Sequence, residues 1–273
     1  MRAEVSVIIP CYRCVDTVER AVDSVLGQRL LPMELLLVDD ASDDAGATLA
    51  ELQRLQLRHQ HTLPIRVIPL AHNGGPGTAR NAGWEQAQQP YLAFLDADDS
   101  WHAEKLKIQY QWMKAHPQVT LTGHQSRQIK PGDRPPEVSD TPRVRALGRY
   151  QLLFSNRLPA RSVMLKRDII QRFEAGKRHA EDYLLWLNIV LAGEPAWLIE
   201  APLACSYKAD FADHGLSGNL WKMERGELDT YKSVHRRGLI SGPAYLTVTF
   251  MSVLKFVRRL LLAGLRRLVK NIA

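Results

Sequence analysis

Asp96, Asp98 and Asp99 close the run Tyr91-Leu92-Ala93-Phe94-Leu95, so an apolar segment with the length of a buried strand delivers three carboxylates within four residues. Carboxylates this close repel one another unless positive charge lies between them. Hard oxygen ligands of this kind suit a divalent cation, which would in turn hold phosphate oxygens. A plain turn is the competing reading, because Ser100, ahead of Trp101-His102-Ala103-Glu104-Lys105, is the right type to cap a following helix. One capping residue would suffice there, and Asp96 and Asp98 are left over. Two more acidic pairs stand at comparable places. Asp39-Asp40 ends the run Glu34-Leu35-Leu36-Leu37-Val38, and Glu181-Asp182 heads the apolar stretch Tyr183–Leu191. The latter pair either complements the dipole of a helix or aims a carboxylate into a cleft.

The elements that would position these groups alternate. Val5–Ile9 before Pro10 reads as a first buried strand. Asp16 and Glu19 then have capping-box spacing ahead of a helix with Val18, Ala21, Val22, Val25 and Leu26 on one face. A strand over 34–38, a helix over 45–59, a strand over 65–68 and the strand ending at Leu95 follow, which is the order of a parallel α/β sheet. Parallel strands place their carboxyl ends along one edge, so the loops after Ile9, Val38 and Leu95 are expected to converge on one crevice large enough for a nucleotide. Between Gly123 and Arg149 the pattern becomes polar and proline-rich, which predicts a flexible loop over 124–149. Arg161–Leu165 reads as a further strand.

Several classes are excluded. Gly75-Pro76-Gly77 is followed by Thr78-Ala79-Arg80 where a dinucleotide fingerprint needs a third glycine, and no Gly-Lys-Ser/Thr is present for a P-loop. Cys11, Cys14 and Cys205 are an odd set with no second metal-type pair, so they read as small buried side chains. The 273 residues are 45% hydrophobic and 24% charged, an ordinary globular composition able to bury one substantial core. Met1-Arg2-Ala3-Glu4 runs straight into a strand without a secretory signal pattern, which predicts a cytoplasmic protein. A net charge of +7 suits anionic lipid or phosphorylated substrates; nucleic acid is not expected, for want of a basic platform interleaved with aromatics.

Five segments together resemble one family: Val5–Tyr12, Val38–Ser42, Gly77–Gly83, Phe94–Asp99 and Glu181–Trp186, in that order over the first 190 to 210 residues, are similar to the family 2 glycosyltransferases of the GT-A fold. The resemblance implies an α/β, Rossmann-like, mostly parallel sheet flanked by helices. It implies a nucleotide-sugar half over 1–122 and an acceptor half over 123–210. It also implies roles for residues. Pro10 and Tyr12 line the nucleotide pocket, Asp39 and Asp40 contact the base with Asp40 the direct partner, and Arg80 meets the base or a phosphate. Asp98 binds Mn2+ or Mg2+ bridging the diphosphate, Asp96 faces the ribose or the metal, Asp99 competes as a ligand, and Asp182 is the catalytic base of an inverting transfer from a nucleotide-sugar, with a bias towards UDP. His214 falls where relatives carry a histidine near the acceptor or diphosphate. The alternatives are a sugar nucleotidylyltransferase, whose basic glycine-rich N-terminal loop is not matched by Pro10-Cys11-Tyr12-Arg13, and a degenerate nucleotide-sugar-binding subunit, which would have lost the carboxylates that are present here.

The segment 211–273 reads as a C-terminal helical extension. Residues 238–254 carry no charge, and Lys255, Arg258, Arg259, Arg266, Arg267 and Lys270 follow without an acidic residue. At helical spacing these bases share one half of the surface, while Val257, Leu261, Leu265, Leu268 and Ile272 share the other. The pattern predicts a helix lying on an anionic membrane surface, with a helix packed on the domain as its rival. With the family resemblance it points to a glycan or polyprenyl-diphosphate-linked acceptor used in surface-polysaccharide assembly on the inner face of the plasma membrane.

Overall fold

A computed structural model describes residues 2–130, 132–207 and 220–272, with side chains as far as 261 in the last helix. His214 and the side chains of Leu265, Arg266, Arg267, Leu268, Lys270 and Ile272 therefore lie outside the described residues.

The predicted alternation is present: β1 (Ala3–Cys11), α1 (Val15–Leu26), β2 (Pro32–Asp39), α2 (Ala47–His59), β3 (Ile65–Pro69), α3 (Pro76–Gln86) and β4 (Tyr91–Phe94). These strands pair in parallel in the order β3-β2-β1-β4. Continuous apolar runs are what such strands need, because both faces are covered. Ile8, Leu36, Val38, Leu92 and Phe94 enter one core with Trp84 of α3, and Val7, Ile9, Leu35, Leu37 and Ala93 enter the other with Val18 and Val22 of α1. The helix α1 is not started by a capping box. Cys14 is its N-cap with no side-chain bond, and Asp16 is simply acidic in the first turn.

The second half is mixed where a mostly parallel sheet was expected. After β5 (Asp99–Trp101) and α4 (Lys105–Ala115) come β6 (Leu121–Gln128), β7 (Val144–Ala146), α5 (Arg149–Phe154), β8 (Met164–Lys166), α6 (Glu181–Leu191) and β9 (Ala196–Ser206). Strand β8 runs antiparallel to β4 and β6, β9 runs parallel to β6, and β5 and β7 run antiparallel to β9. Two expectations are corrected. The polar stretch from Gly123 begins as strand, because His124 is buried and β9 gives Gly123–Gln128 a parallel backbone partner, while β8 pairs with Leu121 and Thr122 just ahead; among the described residues the irregular part lies within 129–143. Ser100 caps nothing: it lies in β5, its Oγ meets the Tyr207 hydroxyl at 2.8 Å, and α4 starts from Glu104. Cys11, Cys14 and Cys205 are buried and unpaired, as expected.

Helix α3 lies close on the sheet because of one residue. A Cβ on Gly83 would stand 2.6 Å from Ile8 Cγ2 and 3.2 Å from Val38 Cγ2. Alanine would gain ~1 kcal/mol of helix propensity, but pressing a methyl into a filled core costs ~1–3 kcal/mol. Gly83→Ala is therefore expected to lower the thermal unfolding midpoint; an unchanged or higher midpoint would show that the helix can shift outward.

The chain ends in α7 (Leu220–Arg236) and α8 (Gly242–Ile272), which pack on each other and on α5 and α6. Val248, Ser252 and Phe256 of α8 are buried, and Arg259 pairs with Glu224 of α7 at 2.9 Å. One side of α8 is thus packed on the domain, as the rival reading held. No described helix is long and apolar enough to cross a membrane.

Candidate active site

The carboxyl ends of β1, β2 and β4 bring the loops at 12–14, 39–46 and 95–98 to one edge, as the topology requires. Positive φ angles at Arg13 (46°) and Ala41 (51°) turn two of these loops, and Ala180 (54°) turns the chain just before α6. Non-glycine residues seldom adopt this conformation, which costs ~1–2 kcal/mol each, so packing elsewhere holds the backbone in place at these positions.

The glycine-rich loop clasps a carboxylate of its own chain. Gly74 N–H donates to Asp40 Oδ1 at 2.9 Å and Gly75 N–H to Asp40 Oδ2 at 2.7 Å. Asp40 is therefore bound to the head of α3, a site that favours negative charge, and burial raises its pKa against those bonds. Asp39 Oδ1 accepts from the backbone and hydroxyl of Ser42 at 3.2 and 2.6 Å. Expected to read the base, both residues are bonded here to the two loops that would enclose it. Tyr12 is exposed, and its hydroxyl donates to Asp43 Oδ1 at 2.5 Å, while Arg13 forks onto the same carboxylate; Pro10 stays in β1 beside Val38. A residue not singled out in the sequence faces them. Arg178 is exposed, donates to Asn73 Oδ1 at 2.6 Å, and lies close enough to Tyr12 and Asp40 to favour their charged forms. Lying in a loop of no recognisable motif, it carries no local signal.

At the end of β4 the three aspartates part company. Asp99 turns inward: it is buried, its Oδ2 accepts from Arg161 Nη1 at 3.1 Å, and desolvation pushes its pKa up to about 7 against the pull of Arg161. It is thereby removed as a competing metal ligand. Asp96 and Asp98 remain part-exposed on the crevice side, and the Asp98 carbonyl accepts from Arg20 at 2.7 Å. Among the described residues no group of three acidic, histidine or cysteine side chains is arranged to hold a metal. Two hard carboxylates beside a crevice still suit Mg2+ or Mn2+, whose remaining positions are commonly filled by water and substrate phosphate.

Arg80 is the centre of the site without opening onto the crevice. It is 3% exposed, and its Nη2 donates to Asp96 Oδ1 at 2.6 Å and its Nη1 to Glu181 Oε1 at 2.8 Å. Expected to touch a base or phosphate, it is committed to two protein carboxylates, with Phe173 beneath its guanidinium. Fully desolvated yet flanked by Asp96, Glu181 and Asp182, it stays charged. The bridge ties β4 to α6. Beneath it Phe94, Phe173 and Trp186 pack edge to face or tilted, with centroids 5.5–6.3 Å apart, so both ends of the bridge rest on one aromatic cluster.

Asp182, next to Glu181, is half-buried at the first turn of α6. Its Oδ1 accepts from Tyr183 N–H at 2.6 Å and makes a long contact of 3.5 Å with Asn156 Nδ2. Burial, then the neighbouring Glu181 charge, push its pKa up to about 7, with Arg80 opposing. A carboxylate poised there is matched to taking a proton near neutral pH. One crevice thus carries, on opposite sides of Arg80, a pair of metal-type carboxylates and a carboxylate of raised basicity.

The chain is similar to known glycosyltransferases. Residues 6–174 match the family model described as glycosyl transferase family 2. The chain is 29% identical over 235 residues to "Putative teichuronic acid biosynthesis glycosyltransferase TuaG" of Bacillus subtilis, covering 85% of this chain and 88% of that protein. It is 27% identical over 234 residues to the "UDP-Glc:alpha-D-GlcNAc-diphosphoundecaprenol beta-1,3-glucosyltransferase WfgD" of Escherichia coli, covering 82% and 84%. Among solved structures, S. aureus TarS 1-349 in complex with UDP superposes with a TM-score of 0.64 at 18% identity over 91% of this chain and 70% of that one. The mannosyltransferase PcManGT of Pyrobaculum calidifontis in complex with GDP-Man and Mn2+ gives 0.66 at 19% identity over 92% and 69%. The fold is that of the GT-A glycosyltransferases, and the chain belongs to glycosyl transferase family 2.

Proposed function

We propose that the chain is a metal-dependent, inverting glycosyltransferase of surface-polysaccharide assembly, moving a sugar from a nucleotide-sugar, of UDP type, to a hydroxyl of a glycan or polyprenyl-diphosphate-linked acceptor at the inner face of the plasma membrane. The observation that carries it is the Arg80 bridge, which holds Asp96 and the Glu181-Asp182 pair at fixed separation across one crevice. In this reading Tyr12, Arg178 and the Asp39 and Asp40 loops enclose the nucleotide, and Asp98 with Asp96 holds Mg2+ or Mn2+. The ion supplies charge neutralisation for the departing nucleoside diphosphate. Asp182 accepts the proton of the acceptor hydroxyl as that oxygen attacks from the face opposite the leaving group, and inversion at the anomeric carbon follows. The relatives support the substrate classes through the UDP-glucose and diphosphoundecaprenol that the name of WfgD carries.

Binding and hydrolysis of a panel of UDP-, GDP- and dTDP-sugars, with Mn2+ and with chelator, test this reading. One donor selected only in the presence of metal supports it, and no binding to any donor defeats it. Asp98→Ala is expected to abolish transfer and to leave residual UDP binding insensitive to chelator; chelator-sensitive UDP binding in the variant would remove Asp98 from the metal site.

A further inference from the structure

Helix α8 has a second face that the domain does not cover. Leu246, Phe250, Val253, Leu254, Val257 and Leu261 recur at i, i+4, i+7, i+8, i+11 and i+15, which places all six on one stripe. They are exposed by 67%, 68%, 42%, 54%, 45% and 64%, while Val248, Ser252 and Phe256 on the inner side are buried. Soluble surfaces scatter such side chains singly; an aligned row marks an interaction face. The stripe also has a definite relation to the catalytic crevice. Lys255 Nζ, one residue from Leu254, donates to the Phe154 carbonyl at the end of α5, where Phe154 and Tyr150 are themselves exposed. Two residues on, Asn156 meets Asp182. Apolar stripe, α5 and acceptor-side carboxylate are therefore consecutive along one surface.

We propose that this stripe is a bilayer-docking face that sets the Asp182 side of the crevice at the membrane surface, with an anionic lipid bilayer as its occupant. Charge selects the occupant. From residue 238 to the end the chain carries six basic residues and no acidic one, and Arg258 is exposed beside the stripe. A second copy laid on this face would bring two such segments together and repel, whereas anionic headgroups attract them. Since no described helix can span a bilayer, the helix lies in the interface with its apolar side inserted. The proposal rests on the transferase reading in one respect: docking here would present the base to an acceptor hydroxyl held at the lipid surface.

The test is co-sedimentation of the full chain with vesicles of phosphatidylcholine, with and without phosphatidylglycerol, for the wild type and for Phe250→Gln with Leu254→Gln. The expected result is binding that needs phosphatidylglycerol and falls at least about tenfold in the variant, at unchanged unfolding midpoint and unchanged UDP affinity by calorimetry. Leu246→Gln with Leu261→Gln reads the same face should the first pair lose its fold. Absence of wild-type binding, full retention in both variants, or a concentration-dependent dimer that the substitutions dissolve would overturn the proposal, the last in favour of a second copy. Failure of the wild type to bind UDP would defeat the transferase reading and leave the vesicle result standing, so the two can fail separately.

Discussion

Asp182→Asn is expected to lower transfer by about 10²–10⁴-fold, the usual contribution of a positioned general base, while UDP-sugar affinity stays within a few-fold. The amide preserves shape and can still accept from Tyr183 N–H, but it cannot take a proton. The two readouts divide the roles, because the loops proposed to enclose the nucleotide leave β1, β2 and the head of α3, whereas Asp182 stands on α6. The wild-type rate should fall as pH is lowered through about 7, where Asp182 becomes protonated, and that acid limb should be missing from whatever activity the variant retains. Stability has the opposite sense. A carboxyl whose folded pKa lies near 7, above its ordinary 3.8, binds its proton more tightly in the folded state, so its contribution is present at low pH and is lost as pH rises from about 4 to about 7. Asp182→Asn should therefore unfold at a higher temperature than the wild type at pH 8 and show little difference at pH 4. Near-normal turnover, or loss of UDP binding together with turnover, would remove Asp182 as the base.

Arg80→Leu is expected to be the most damaging single change. It leaves Asp96 and Glu181 facing each other without their shared cation, and breaking a buried pair from one side costs ~3–5 kcal/mol. Asp96 is partly exposed, with 27% of its side chain accessible, so the lower end of that range applies. Arg80→Lys should recover only part, because an ammonium has no planar fork to span two carboxylates. A combined Arg80→Leu, Glu181→Gln chain separates support from chemistry. If Arg80 acts by positioning, the pair regains much of the lost unfolding midpoint yet remains inactive, since Asp96 and Asp182 are no longer held in register. If activity returned with stability, Arg80 would be only a packing residue, and if UDP affinity alone collapsed, its contact would be with the nucleotide after all.

These expectations rest on features of different origin. The β-α-β alternation, the crevice edge and the three acidic pairs follow from local sequence, because a buried parallel strand must be a continuous apolar run and its carboxyl end must leave the sheet where ligands have room. The chain itself therefore named Asp39, Asp40, Asp96 and Asp98 as groups near one place, and only the family resemblance added Asp182 to them. It could not say which way each carboxylate turns. Asp99 and Asp98 are neighbours with the same side chain, yet one is buried on Arg161, 62 residues away, and the other stays at the crevice. Asp40 is spent on the Gly74-Gly75 backbone, and Arg80 on a partner 101 residues distant.

The same limit explains the second half of the sheet. Strand β6 is polar from Thr122 onward and resembles a loop until β9 supplies its backbone partner, and the exposed apolar stripe of α8 becomes distinct from its buried face only once α7 and α5 have covered the latter. Periodicity records which residues can share a face. Partners far along the chain decide which face is filled, because burial and the pairing of charges depend on distances in space that local order does not encode.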